Sequence, residues 1–293
     1  MGDFGERAQY YKHSGGAPPF GVAMGVGVGM TAGMVLAPVY AYLLVYNPFI
    51  YVSAIGTLAF GGIVGLAVAR GLHQGKVRST LVSAGVTIAV LCVAFYLSWA
   101  VWVYGTFSRG DVEVALVELF NPLVLWSAVS IINEHGAWSL SSTTPTGAAL
   151  WFFWAVEAAI IFGAGLVVGL GNNSAPFCEP CGAWCEELGA IANVGDTLPH
   201  ETVKGRLAER DLSVLEDLGP IDGGNVFVRV QLSSCAHCNQ LNTLTVEHVT
   251  ITHDDKGEPS ETTAALVDKL LVGADEAQWL LGIEQRQQVL AEV

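Results

Sequence analysis

Five of the six cysteines of this chain lie after residue 171, and four of them form two Cys-x-x-Cys pairs. The pairs are Cys178 with Cys181 and Cys235 with Cys238, and Cys185 follows the first pair. Two thiolates separated by two residues can bind one metal ion at about 2.3 Å, and two such pairs complete a tetrahedral shell. We therefore predict a structural zinc site formed by the four paired cysteines, with Cys185 as an alternative ligand to Cys181. A shell of four thiolates leaves no position for water, so this zinc would stabilise a domain rather than catalyse a reaction.

The second pair is flanked by two segments in which apolar and polar residues alternate as they do in β-strands. Val226–Leu232 and Leu244–Thr252 therefore predict a hairpin whose turn carries Cys235 and Cys238. This hairpin resembles one half of a zinc ribbon over roughly 30 residues. Compared with a loop of about 15 residues, the 53 residues between the two pairs add about 1 kcal/mol of closure entropy. Structural zinc contributes roughly 10–16 kcal/mol in small peptides, so this separation is compatible with one shared metal ion.

Disulfide bonds are the alternative use of these thiols. In a cytoplasmic domain they would be reduced, which favours a metal ion. A redox-active Cys-x-x-Cys motif would need a βαβ setting, and neither pair has one. Cys92 lies in a long apolar segment and is interpreted as a small buried residue, whereas His237 and His248 are interpreted as surface or hairpin residues.

Helices are predicted between the two cysteine pairs and after the hairpin that carries the second pair, which makes this domain α+β. The first would cover Thr202–Leu218, the second would run from Ser260 to Gly273, and the third would begin at a capping box of Asp275 and Gln278. Their predicted apolar faces are, in chain order, Leu207, Leu212, Leu215 and Leu218; Leu266, Val267, Leu270 and Leu271; and Leu280, Ile283 and Leu290.

Long apolar segments dominate the first 171 residues. About 20 residues of helix cross the hydrocarbon core of a bilayer, and four segments have this length: residues 20–46, 49–69, 80–104 and 147–170. Between the third and the fourth, segment 105–146 contains only one short apolar stretch, Leu123–Ile132. We expect this stretch to form an interfacial helix that begins at Asn121-Pro122.

The sequence thus predicts an α-helical polytopic membrane protein with four transmembrane helices, one interfacial helix and a small α+β, zinc-ribbon-like cytoplasmic domain. The predicted boundaries are residues 1–19 for a cytoplasmic N-terminal segment, 20–171 for the membrane domain and 172–293 for the cytoplasmic domain.

Charged and aromatic residues predict the orientation. The loop between the second and third spans carries Arg70, Lys76 and Arg78 and no acidic residue, so the positive-inside rule places it in the cytoplasm. With four spans, both termini are then cytoplasmic, in the cell (inner) membrane. The aromatic residues expected at the outer interface are Tyr40, Tyr42, Tyr46, Tyr51, Trp99, Trp102, Tyr104, Trp151 and Trp154.

Glycines recur at four-residue intervals in the first two spans. Gly21, Gly25, Gly29 and Gly33 form one stripe, and Gly61 and Gly65 form a second. Such stripes let helix backbones approach closely in a bilayer. The pattern resembles the glycine zipper of small membrane proteins, which implies tight helix pairing and homo-oligomers but no particular chemistry. A phosphate-binding loop is not indicated, because no GxGxxG motif lies between a strand and a helix.

Glu157 interrupts the fourth span about 15 Å along its helix, near the middle of the bilayer. A charged residue there costs about 2.5–3.5 kcal/mol on insertion scales, so we expect a neutral carboxyl that is hydrogen-bonded to a hydroxyl. The candidate partners are Thr57, Ser83, Thr87 and Ser98. Glu157 is interpreted either as a proton or cation site or as a residue that only joins helices.

Charge is distributed unevenly along the chain. Residues 172–293 contain 7 basic and 20 acidic residues, a net charge of -13 of the -14 total. An acidic domain is unsuited to nucleic acid and suited to basic protein surfaces. The lipid bilayer is the other expected partner. The sequence therefore predicts a non-enzymatic membrane anchor or adaptor for protein partners. The alternatives are a small transporter or ion-conducting protein that uses Glu157, and a membrane thiol-disulfide oxidoreductase.

Overall fold

A computed structural model describes residues 9–47, 49–110, 112–137, 144–171, 175–221, 224–253, 257–283 and 286. The chain divides into two compact units. The helical unit is Ser14–Ser174, and the sheet unit combines Met1–His13 with Ala175–Val293. Of the sequence predictions, those on residues 1–8 and on Leu290 lie outside the described residues.

The described part of the helical unit contains five α-helices: α1 Pro19–Tyr46, α2 Ile50–Gln74, α3 Thr80–Arg109, α4 Pro122–His135 and α5 Gly147–Gly171. All but α4 are long and apolar enough to cross a membrane. The four long apolar helices predicted from the sequence are therefore present. Two of them run further than predicted, since α2 continues past Ala69 to Gln74 and α3 continues past Tyr104 to Arg109.

The fifth helix, α4, begins where the sequence predicts. The side chain of Asn121 accepts a hydrogen bond of 3.0 Å from the backbone N–H of Leu123, and Pro122 is the first helical residue. Its 14 residues rise about 21 Å, which is less than the roughly 30 Å hydrocarbon core. Leu125 and Ile132 of α4 belong to one apolar cluster with residues of α3 and α5. The helix is thus too short to cross a bilayer and is held by its two longer neighbours.

Glycine positions bring the helix backbones together. A Cβ atom at Gly21 would overlap the carbonyl oxygen of Gly75, which follows α2, and one at Gly25 would overlap the Leu72 side chain of α2. The neighbours at the next two positions of the α1 stripe, Gly29 and Gly33, are Val68 of α2 and Ala94 of α3.

The glycines of α2 face a different neighbour. A Cβ at Gly61 would overlap the carbonyl oxygen of Ile161 in α5, and one at Gly65 would overlap that of Gly165. The two stripes therefore do not pair with each other: the first contacts α2 and α3, and the second contacts α5.

Large apolar side chains cover the outside of these helices. Leu81 is 86% exposed and Val167 is 75% exposed, and Phe20, Ile55 and Leu58 are also exposed. So many exposed large apolar side chains on long apolar helices are compatible with a membrane protein.

The sheet unit contains, in its described residues, the strands β1 Phe177–Cys178, β2 Ala183–Trp184, β3 Glu186–Val194, β4 Val226–Ser234, β5 Asn242–His253 and β6 Pro259–Val272. Strands β1 and β2 form a small hairpin, and the others form an antiparallel sheet in the order β3-β4-β5-β6. The predicted hairpin is confirmed as β4 and β5, with Leu232 opposite Leu244. One face of the sheet packs against the short helices α6 His200–Ala208, α7 Val214–Asp217 and α8 Ala274–Leu281, with Leu207, Leu215, Val230 and Val246 fully buried between them.

The helix predicted over Thr202–Leu218 is divided into α6 and α7. Arg210, between them, adopts a left-handed conformation with φ of 62°, which an α-helix does not accommodate. The leucines still perform their predicted role, because Leu207, Leu215 and Leu218 are fully buried in the core of the unit.

The prediction of a helix from Ser260 to Gly273 is wrong, because Pro259–Val272 is strand β6. The reason is a β-bulge. Leu244 pairs with Leu270 and Val246 pairs with Val267, so β6 advances three residues while β5 advances two. Lys269 inside the bulge has φ of 54°. The extra residue gives the buried positions of β6 a spacing of three, which resembles the spacing of a helix face.

The final helix, α8, begins two residues earlier than predicted. Glu276 accepts a hydrogen bond of 2.6 Å from the backbone N–H of Gly273, so Gly273 and not Asp275 is the residue that precedes the helix. Leu280 and Ile283 are buried as predicted.

Residues 9–11 add a short segment to the sheet unit beside β6. The backbone N–H of Tyr11 donates to the carbonyl of Lys269 at 2.9 Å, and the N–H of Leu271 donates to the carbonyl of Gln9 at 2.8 Å. The Tyr11 hydroxyl accepts a bond of 2.9 Å from the N–H of Phe177 in β1. The N-terminal segment thus joins β6 to the β1–β2 hairpin.

Neighbouring glycines in α2 provide a matched test of the helix packing. We expect Gly61→Ala to destabilise the helical unit by about 1–3 kcal/mol, because the new methyl group meets backbone of α5 that cannot move aside. Gly62→Ala should leave stability unchanged or raise it slightly, since the nearest atom to its Cβ is 3.9 Å away. Thermal unfolding in detergent measures both variants, and equal melting temperatures would contradict the packing described here.

Candidate functional site

Two Cys-x-x-Cys turns meet in the sheet unit. The first, Cys178–Cys181, connects β1 to β2, and the second, Cys235–Cys238, connects β4 to β5. Each turn is followed by one residue in the left-handed conformation, Gly182 with φ of 60° and Asn239 with φ of 52°. The two turns therefore reverse the chain in the same way, although only the second was predicted to lie in a hairpin.

The four paired sulfur atoms form one cluster. All lie within 4.8 Å of one another, and the Sγ atoms of Cys178 and Cys238 are 3.7 Å apart. Four sulfur atoms bound at about 2.3 Å to a tetrahedral metal are about 3.8 Å from each other. The cysteines that the sequence pairs are thus brought together by the fold, and they could hold one metal ion.

Cys185 lies beside this cluster but outside the set of atoms that converge. It packs with Cys178 and Cys235 in a small buried group, just before β3 begins. Burial raises the pKa of the Cys185 thiol to about 12, and the hydrogen bond with Cys238 raises the pKa of Cys181 to about 12 as well, so the pKa values do not choose between the two thiols. Of the two alternatives considered for the first pair, the geometry brings Cys181 and not Cys185 into the cluster.

Backbone N–H groups favour thiolates in the second turn. The N–H of Gln240 donates to the sulfur of Cys238, and together with the thiol of Cys181 it lowers the pKa of Cys238 to about 7. Burial acts to raise the pKa of Cys235, but the N–H groups of Cys238 and His237 bring it below its ordinary value. Backbone N–H groups that donate to sulfur stabilise the thiolate, which is the form of cysteine that binds a metal cation.

Glu157 of α5 is the second candidate site, and its partner was not predicted. Its carboxylate accepts a short hydrogen bond from the hydroxyl of Tyr40 in α1. The Tyr40 hydroxyl is also 2.9 Å from the Oγ1 atom of Thr57 in α2. Of the four hydroxyl groups proposed from the sequence, Thr57 is thus the one that contacts Tyr40. It also donates to the carbonyl of Ser53 in its own helix, as Thr87 and Ser98 do to carbonyl groups of theirs.

Tyr40 is buried within the helical unit, as is Trp154, although both were expected among the aromatic residues of the outer interface. The Tyr40 ring stacks on that of Phe60 in α2, with 4.7 Å between the ring centres and an angle of 2°. A signal for this placement exists in the sequence: Tyr40 lies three residues after Ala37, on the helix face that carries the glycine stripe. A tyrosine on the packed face of a helix is buried, and its hydroxyl then requires a partner.

A cavity of about 910 Å³ lies beside the Glu157 carboxylate within the helical unit. Hydroxyl, amide and guanidinium groups line it together with tryptophan rings. The polar lining residues are Tyr40, Tyr46, Asn47, Ser53, Thr57, Ser98, Thr106, Arg109 and Glu157. Arg109 is in the last turn of α3 and donates a hydrogen bond to the carbonyl of Val45 near the end of α1. Arg109 lies five residues beyond the predicted end of the third span, and because α3 continues that far it shares this cavity with Glu157.

The sequence and the structure were also compared with known proteins. No family model, no curated protein and no solved structure matches this chain. Its function has to be argued from the two sites themselves.

Proposed function

We propose that this protein is a multi-pass membrane protein whose sheet unit is stabilised by a structural zinc ion and acts as a non-enzymatic anchor for protein partners. The observation that carries this proposal is that four cysteines come together in one cluster in a chain that also has four long apolar helices.

The pairing of residues 9–11 with β6 supports four membrane spans. Hydrogen-bonded segments must lie on the same side of a membrane, so the chain between residues 14 and 174 crosses it an even number of times. The four long helices satisfy this requirement, and α4 is too short to add a fifth crossing. On this topology the N-terminal segment and the sheet unit share one side.

The basic loop between α2 and α3 supports a cytoplasmic location for that side. The backbone N–H of Arg78 in this loop donates to the carbonyl of Gly16 at 2.7 Å, and its guanidinium donates to Ser14. The loop and the N-terminal segment are therefore on the same side, and the excess of Lys and Arg favours the cytoplasm of a cell (inner) membrane.

Zinc is the metal that these ligands favour. Four thiolates with tetrahedral spacing are typical of structural zinc sites. A cytoplasmic domain is kept reducing, so paired thiols are more useful there as metal ligands than as disulfides. The thiol-disulfide oxidoreductase considered from the sequence would require an oxidising compartment, which this topology does not give it.

The charge of the sheet unit supports a partner with a basic surface. The described Lys and Arg residues after residue 174 all form ion pairs with acidic residues of the same unit. The pairs are Lys204 with Glu201, Arg206 with Asp211 and Asp217, Arg210 with Glu276, Arg229 with Glu261, Lys269 with Asp268, and Arg286 with Glu216. Because acidic residues outnumber basic ones 20 to 7 after residue 171, the surface stays strongly negative. Such a surface repels anionic lipid and attracts cationic protein.

The cavity beside Glu157 favours a second candidate function, a small transporter or ion-conducting protein. A carboxyl group inside a span, with a tyrosine hydroxyl and a polar cavity next to it, is the arrangement expected of a proton or cation pathway. The cavity would connect Glu157 with polar groups at the ends of α1 and α3, namely Asn47 and Arg109.

Metal content tests the zinc site. We expect the purified full chain to hold zinc in the four-cysteine site. After replacement of that zinc by Co²⁺, the protein should show a thiolate-to-metal charge-transfer band, and Cys178→Ser should abolish this band and unfold the sheet unit. Cys185→Ser and Cys92→Ser should keep the band, because neither residue belongs to the converging set. Loss of the band in Cys185→Ser with retention in Cys178→Ser would contradict the assignment.

Site-specific photo-crosslinking in living cells tests the anchor function. A crosslinker in place of exposed Glu187 in β3 should give a discrete adduct with a protein that has a basic surface. The same crosslinker in place of exposed Glu134 in α4, which the proposed topology puts on the opposite side, should not give that adduct. Addition of Cys178→Ser should remove the adduct. The anchor function fails if position 187 yields no discrete adduct in cells where the protein is folded.

Flux in proteoliposomes tests the second candidate. If Glu157 carries protons or cations, the wild-type chain shows a flux that Glu157→Gln abolishes and Tyr40→Phe reduces, since each change alters the hydrogen bond between them. Tyr42→Phe is the matched control, because Tyr42 is two residues away on the exposed side of α1. Intact flux in Glu157→Gln, or no flux in the wild type, excludes this function.

A further inference from the structure

Two histidines of the sheet unit direct the same ring nitrogen at one carboxylate. The Nε2 atom of His200 is 3.1 Å from Oδ1 of Asp196, and the Nε2 atom of His248 is 3.2 Å from Oδ2 of the same residue. The two imidazole rings are 4.5 Å apart between centres. Ligand atoms of all three residues lie within 4.8 Å of one another.

Three separate elements bring these residues together. Asp196 comes two residues after the end of β3, His200 is the first residue of α6, and His248 lies in β5 opposite Val228 of β4. Pro199 precedes α6 and orders the short connection between Asp196 and His200. The interpretation of His248 as an ordinary hairpin residue missed this cluster, because its partners are 48 and 52 residues away in the sequence.

We infer that Asp196, His200 and His248 form a second metal site, which binds a divalent first-row transition ion such as zinc. Imidazole nitrogen and carboxylate oxygen are ligands that these ions share, and two histidines with one carboxylate are a recurrent protein ligand set for them. The side chains are 19%, 40% and 21% exposed in that order, so solvent reaches the cluster. The ion would keep at least one coordination position for water or a small ligand, which the four-cysteine site does not offer.

This site is distinct from the four-cysteine cluster. Val228, which lies opposite His248, and Cys235, which directly follows β4, are seven residues or about 23 Å apart along the strand. The two ligand sets therefore share no residue and cannot hold the same ion. Their chemistry also differs, since one is all sulfur and the other is nitrogen and oxygen.

A hydrogen-bonded triad is the competing account of the same geometry. Two neutral histidines could each donate from Nε2 to Asp196, which would hold α6 on the sheet without a metal ion. Metal binding distinguishes the two accounts, because the triad has no reason to bind one.

Cobalt titration of the full chain in detergent, with zinc already in the thiolate site, provides the test. We expect the wild-type chain to bind one Co²⁺ ion with weak visible absorption and no thiolate-to-cobalt charge transfer. His248→Ala and His200→Ala should weaken this binding by more than about 100-fold, because each removes a ligand. His253→Ala is the matched control: it removes an exposed histidine from the same strand and should bind cobalt like the wild type.

Zinc content and thermal unfolding are measured on every variant, so a loss of fold is separated from a loss of ligand. If His248→Ala fails to fold, the loss of cobalt binding is measured instead on His200→Ala, whose side chain is more exposed, and on Asp196→Asn, which is nearly isosteric. The inference is overturned if the wild-type chain binds cobalt only by displacing zinc from the thiolates, or if the histidine variants bind it as the wild type does. A missing thiolate site would appear separately, as loss of the zinc itself.

Discussion

The structure of the sheet unit depends on the meeting of two cysteine turns that are 53 residues apart. Strands β1 and β2 contain two residues each, which is too few for a hairpin to be stable alone. What holds this hairpin is the cysteine cluster on one side and the hydroxyl of Tyr11 on the other. Cys185, which packs against Cys178 and Cys235 of this cluster, directly precedes β3, so this packing also anchors the start of the main sheet.

Much of the fold could be predicted because its signals are local. A helix in lipid needs only length and apolar composition, and Asn121-Pro122 begins α4 through contacts within one turn. Strand β6 could not be predicted in this way. Its long ladder with β5 outweighs local spacing, and the bulge at Lys269 gives Val267 and Leu270 the separation of a helix face. No local pattern distinguishes such a strand from a short helix.

The candidate sites differ in the same way, since some are indicated by local sequence spacing and others depend on tertiary packing. The spacing of the paired cysteines predicts that they converge, whereas the choice between Cys181 and Cys185 depends on the three-dimensional fold. The partner of Glu157 is a tyrosine in another helix, and its position depends on how α1 and α5 pack around α2. Side chains that meet only through tertiary packing, as Asp196 and His248 also do, leave little trace in a single sequence.

The pairing of residues 9–11 with β6 has a consequence for biosynthesis. Gln9 and Tyr11 leave the ribosome before any of the described helices, whereas their backbone partners at 269–271 are made after all four long helices. The early segment therefore waits through the synthesis of these helices, and the sheet closes on it only after β6 has been made. A chain that stops before β6 would leave this segment without its partner strand.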